Sequence, residues 1–133
     1  MRFIYPNTHA FKDYAMSIIL ILSPWMLGFN NGGAETWVPV TLGIATIGIS
    51  LLTKYKYSLI KLIPMKDHLL FGLLSGIFLA ASPWLFGFSD YVYLPHLLFG
   101  IIEIGASLTT QTIYHPDRER SKAAAQQVKI WRA

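Results

Sequence analysis

Cysteine is absent from all 133 residues, which excludes disulfides, thiolate nucleophiles and thiolate metal sites and leaves the redox compartment unread. Charge is scarce too: 14% of residues are charged against 53% hydrophobic, far from the balance of a water-soluble domain. No glycine-rich nucleotide loop, nucleophile elbow or carboxylate dyad occurs, so nothing in the chain calls for an enzyme. The net charge of +4 does not describe a nucleic-acid surface. The basic residues lie between and beyond long apolar runs, not along one amphipathic face.

Apolar length is what the chain has. Stretches at residues 9–29, 37–53, 68–88 and 91–110 each approach the roughly 20 residues a helix needs to cross about 30 Å of hydrocarbon. The sequence therefore predicts an all-α membrane protein with four transmembrane helices. Arg2 and Lys12 sit at the start of the first span, Lys54, Lys56, Lys61 and Lys66 fill the second connection, and Arg118, Arg120, Lys122, Lys129 and Arg132 lie in the tail. The first and third connections carry only Glu35 and Asp90. This asymmetry places both termini in the cytoplasm, with odd spans running outward. Trp25, Trp37, Trp84, Tyr91 and Tyr93 then mark the outer interface, and Tyr55, Tyr57 and Tyr114 the inner one. A cleavable signal peptide is the competing reading of residues 1–29; the recurrence of that segment further along the chain favours a retained span.

Ser23-Pro24-Trp25-Met26-Leu27-Gly28-Phe29 returns 59 residues later as Ser82-Pro83-Trp84-Leu85-Phe86-Gly87-Phe88, and the same offset pairs His9 with His68 and Leu20 with Leu79. At an offset of 57, residues 43–53 and 100–110 agree at seven of eleven positions. The chain is thus a duplicated hairpin: residues 1–60, residues 61–113 and a basic cytoplasmic tail at 114–133. Units of two spans keep the same orientation, so the expected relation between them is pseudo-twofold symmetry along the membrane normal.

Two Ser-Pro-Trp-x-x-Gly-Phe units in so short a chain resemble the SPW-repeat family of small bacterial membrane proteins. The resemblance covers everything except the tail. It implies paired hairpins in a bacterial cytoplasmic (inner) membrane, and brings no activity, ligand or catalytic residue with it.

Within the motif, Pro24 and Pro83 each lack an N–H, freeing the carbonyls of Leu20 and Leu79. Ser23 and Ser82 are placed to bond such freed groups, and Gly28 and Gly87 let the chain leave the helix. Trp25 and Trp84 set depth at the interface. Gly72, Gly76 and Ala80 make a small-residue strip suited to close helix approach, within the chain or to another chain, and the fourth span offers Gly100 and Gly105.

Glu103 is the most pointed residue, falling inside the fourth span where the first unit has Thr46. A carboxylate there costs several kcal/mol and is expected to face the bundle or a partner. With His96, Ser107 and Thr110 it forms a polar stripe, facing a shorter one of Thr46, Ser50 and Thr53. Such a seam serves either helix packing or a transport pathway. His68 and His96 begin spans of opposite direction and cannot share a metal; His9 and His68 share the inner rim, but sequence spacing supplies no further ligand, so no metal site is expected. His96 alone is a candidate axial ligand for haem or pigment.

The expectation is a non-enzymatic structural or accessory subunit without a cofactor, packing laterally as a homo-oligomer or with other membrane subunits. A small transporter or proton-coupled carrier using the Glu103 seam is the alternative, and a haem- or pigment-binding subunit through His96 the second. The mixed lysine and apolar connection at residues 54–63 is expected to lie on anionic lipid at the inner face. No nucleic-acid partner is expected.

Overall fold

The computed structural model describes residues 2–54, 58–112 and 116–132, with side chains in the last segment at 121 and 123–132 only. The expected interfacial tyrosines Tyr55, Tyr57 and Tyr114 lie outside the described residues. The chain is all-α: α1 (Pro6–Met26), α2 (Ala34–Leu52), α3 (Met65–Leu85), α4 (Leu94–Thr109) and α5 (Pro116–Arg132). α1 pairs with α2 and α3 with α4 as two hairpins, and α2 against α3 and α1 against α4 bring the hairpins together. We call the end holding residues 27–33 and 86–93 the loop end, and the other the terminal end.

Helix starts lie three residues before the predicted spans in α1, α2 and α3 and three after in α4. Pro6 occupies the first turn of α1, where its missing N–H costs nothing and its fixed φ suits a helix. Pro95 does the same for α4. α2 and α3 are long and apolar enough to cross a membrane; α4, at 16 residues, is apolar but shorter.

The repeated motif is a helix stop. Gly28 and Gly87 take φ of 75° and 73°, the left-handed region open to glycine. Phe29 N then donates to Pro24 O at 2.9 Å and Phe88 N to Pro83 O at 2.8 Å, the six-to-one bond of a Schellman ending. One turn earlier, Ser23 Oγ donates to Leu20 O (2.8 Å) and Ser82 Oγ to Leu79 O (2.7 Å). Each serine therefore satisfies the carbonyl that the following proline leaves without its helical donor.

The small-residue strip is used inside the second hairpin. A Cβ on Gly100 would stand 2.6 Å from Ala80 Cβ and from Gly76 O, whereas one on Gly105 would meet nothing within 4 Å. In the first hairpin Gly43 meets Ser17 and Ile21, the positions equivalent to Gly76 and Ala80.

Between hairpins, contacts come in reciprocal pairs. Phe3 N and Ile4 N donate to Thr109 O, and Gln111 N to Ile4 O; in the same way Leu62 N and Ile63 N donate to Leu52 O, and Lys54 N to Ile63 O. Each unit's leading segment thus pairs with the end of the other unit's second helix or its equivalent. Equivalent residues also meet across the middle: Ala10 and Leu69 share one apolar cluster, Leu20 and Leu79 another.

The interior is unusually polar. Among the described residues, ten hydrophobic side chains are buried against thirteen polar or charged ones, while Phe11, Ile18, Ile44, Leu74, Ile77 and Leu98 are half exposed or more. Water-soluble proteins arrange these classes the other way round.

Candidate functional site

The densest polar cluster lies at the terminal end, where the fourth residue of α1, His9, meets the fourth of α3, His68. Their rings stand edge to face with centroids 5.5 Å apart, and both are at most 2% exposed. Thr110 Oγ1 lies 2.7 Å from His9 Nδ1 and Thr53 Oγ1 2.8 Å from His68 Nδ1. Each hydroxyl also donates to the carbonyl one turn back, Thr110 to Ala106 O at 2.6 Å and Thr53 to Ile49 O at 2.7 Å. A hydroxyl has one proton to give. Both threonines must therefore accept from an Nδ1–H, which turns the Nε2 atoms of both rings inward.

Asp13 receives them. It stands one turn along α1 from His9 and is 1% exposed, with Oδ2 2.7 Å from His68 Nε2 and Oδ1 3.3 Å from His9 Nε2. Ser50 Oγ donates to Oδ2 at 3.5 Å. The equivalent of Asp13 in the second unit is Gly72, so the two histidines repeat but the carboxylate between them does not.

Lys12 links this cluster to Glu103. Its Nζ lies 2.7 Å from Asp13 Oδ1 and 2.6 Å from Glu103 Oε2, with 24% of the side chain exposed. Glu103 has room because of the same asymmetry: a Cβ on Gly72 would approach Glu103 Oε1 to 2.8 Å. Beyond Glu103 a cavity of about 20 Å³, lined also by Ser17 and Thr46, has space for one water-sized molecule.

At the loop end His96 performs a different task. Pro39 has no N–H to give the Glu35 carbonyl, and His96 Nε2 donates to that carbonyl from the other hairpin at 2.9 Å. His96 occupies the position equivalent to Pro39 itself. The two motif phenylalanines flank its ring, with centroids at 5.2 Å for Phe29 and 4.9 Å for Phe88. Because a carbonyl only accepts, Nε2 carries the proton; Nδ1 is buried and makes no hydrogen bond.

The predicted seam is therefore divided. Thr110 serves His9, Ser50 serves Asp13, Thr46 lines the cavity beside Glu103, and Ser107 faces Gly72 with its buried Oγ making no hydrogen bond. His96 lies about two helical turns from Glu103 along α4 and belongs to the loop end. Sequence reading passed over Lys12, taken as a flanking positive charge, and Asp13. The available signal was the spacing of four between His9 and Asp13, which puts both on one helix face.

Searches among curated proteins and among solved structures give no match. The SPW repeat domain matches residues 7–110, from the first turn of α1 to the residue after α4, and the Ser-Pro-Trp units that end α1 and α3 lie within that match. The chain accordingly belongs to the SPW repeat family.

Proposed function

We propose that this is a non-enzymatic four-span protein of the bacterial inner membrane, a structural or accessory subunit that packs laterally in an oligomer or a larger membrane complex. The observation that carries this reading is the reversed polarity: apolar side chains outside, polar ones inside. α1 joins the spanning helices because its charges are turned inward and paired, which lowers the cost of carrying them through lipid. At 16 residues, α4 is about 24 Å long, a shortfall that local thinning of the bilayer accommodates.

The described basic residues Arg2, Lys54, Lys61 and Lys66 fall at the terminal end, which supports placing that end in the cytoplasm. There, Leu59, Ile60 and Leu62 are exposed beside Lys61, as suits a segment lying on the inner interface. A groove of about 210 Å³ sets Arg2 and Lys66, together with Asp67, over Leu70, Leu73 and Leu108, a lining with one net positive charge that suits an anionic lipid. The reciprocal contacts between units fit a pseudo-twofold axis along the membrane normal.

Glu103 then acts as a lock between hairpins, since its ammonium partner Lys12 belongs to the other unit. Purification in mild detergent tests the reading: the chain is expected to run as an oligomer or to bring a membrane partner with it. A strictly monomeric particle with no partner overturns it.

A further inference from the structure

We propose that His9, His68 and Asp13 form a buried binding site for one divalent metal ion of the zinc class, shared by the two repeats. This goes beyond the packing role and stands whether or not the chain assembles laterally.

Three ligand atoms, one from each residue, lie within 4.8 Å of one another. They come from two helices of different hairpins, so the ion would join the units near their common end. The chemistry of the donors is decided by the hydroxyls behind them. Thr53 and Thr110 spend their protons on Ile49 O and Ala106 O and so accept the Nδ1–H of each ring. A neutral imidazole held in this way presents its Nε2 lone pair, and both lone pairs converge on a carboxylate. Two imidazole nitrogens, each oriented by a hydrogen bond through the opposite ring nitrogen, plus one carboxylate are a recurrent three-ligand set for zinc-like ions, with a fourth position left open.

Without a positive charge between them, these three acceptors repel. His9 Nε2 is buried and makes no hydrogen bond, so the cluster does not satisfy itself. Ligands held tetrahedrally at about 2.1 Å from an ion lie roughly 3.4 Å apart. Asp13 Oδ2, the oxygen Lys12 leaves free, stands 2.7 Å from His68 Nε2 and must move away by about 0.7 Å to reach that spacing, while the 3.3 Å from His9 Nε2 runs to Oδ1. A small rotation of the Asp13 carboxylate supplies that movement. The neighbouring Lys12 charge is compatible with the ion because Glu103 balances it, and Lys12 holds Oδ1, leaving Oδ2 to bind. Softer ions that select thiolates find no such ligand here.

A proton shared between His68 and Asp13 is the competing occupant, and a titration separates the two. Full-length protein in detergent micelles, stripped with a chelator, is titrated with Co²⁺ and then challenged with Zn²⁺. One equivalent of Co²⁺ is expected, with visible bands of a four-coordinate nitrogen and oxygen site that Zn²⁺ abolishes. Asp13→Asn and His68→Gln should each weaken binding by at least about 100-fold, and Thr53→Val by about 10- to 100-fold, the usual effect of removing an outer hydrogen bond. His96→Gln, at the loop end, should leave it unchanged. Should His68→Gln fail to fold, histidine nitrogen NMR of the unaltered chain carries the test: Zn²⁺ should shift Nε2 of His9 and His68 while their Nδ1–H signals persist. No stoichiometric binding, binding no tighter than in Asp13→Asn, or binding lost in His96→Gln overturns the proposal and leaves the proton as the occupant.

Discussion

Lys12 carries more than its share of the terminal end, because one ammonium answers two carboxylates that belong to different hairpins. Removing one member of a largely buried ionic group leaves the others uncompensated, at a cost near the lower end of about 3–5 kcal/mol because Lys12 and Glu103 are part exposed. Lys12→Met is accordingly expected to destabilise the protein by that amount in denaturant titration in micelles. Adding Glu103→Gln should return part of the loss, since it removes one of the two orphaned charges. A second residue-level exchange concerns Pro39 and His96. His96→Leu leaves the Glu35 carbonyl without a donor and should cost about 1–3 kcal/mol. In a Pro39→Ala background the helix supplies its own N–H to that carbonyl, and the same His96 substitution should cost measurably less. Equal costs in both backgrounds, measured as a double-mutant cycle, count against the cap.

At the scale of elements, the hairpins are set by how close two backbones come and by where helices stop. Gly100 sits where a methyl group would strike Ala80 and Gly76 O, so Gly100→Ala should cost about 1–3 kcal/mol through overpacking. Gly105→Ala, one turn further and open, should be neutral or stabilising by up to about 1 kcal/mol, as the better helix former replaces glycine. Thermal unfolding of the two variants in the same micelle makes the comparison. The stops were largely legible beforehand: proline, glycine and phenylalanine at fixed spacing can be read as an ending because φ and N–H chemistry are local. The partner of each freed carbonyl was only partly so. Ser23 and Ser82 are adjacent to their prolines, whereas His96 reaches Glu35 O across the bundle, and no local rule connects them.

For the molecule as a whole, the side on which each connection lies is the decisive quantity. The chain has no native cysteine, so Asn31→Cys and Leu59→Cys can be labelled one at a time from either face of intact cells or inverted vesicles. Opposite compartments are expected, with residue 59 cytoplasmic; a common compartment removes the four-span arrangement. The exposed Val128, Ile130 and Trp131 of α5 add an apolar edge to an otherwise polar helix, in keeping with a tail that rests on lipid.

Duplication, the pairing of helices into hairpins, the helix stops and the apolar exterior were all determined by the sequence itself, because each depends on residues close together in the chain or on composition. The choice of partners was decided only by the fold. His9, Asp13, His68, Lys12 and Glu103 come from three helices, α1, α3 and α4, and what unites them is the exchange of contacts between two similar but unequal units. A repeat makes its own symmetry visible in sequence; the departures from it, Asp13 against Gly72 and Glu103 against Thr46, acquire meaning only when the two copies are laid against each other and one unit's missing side chain becomes the other's space.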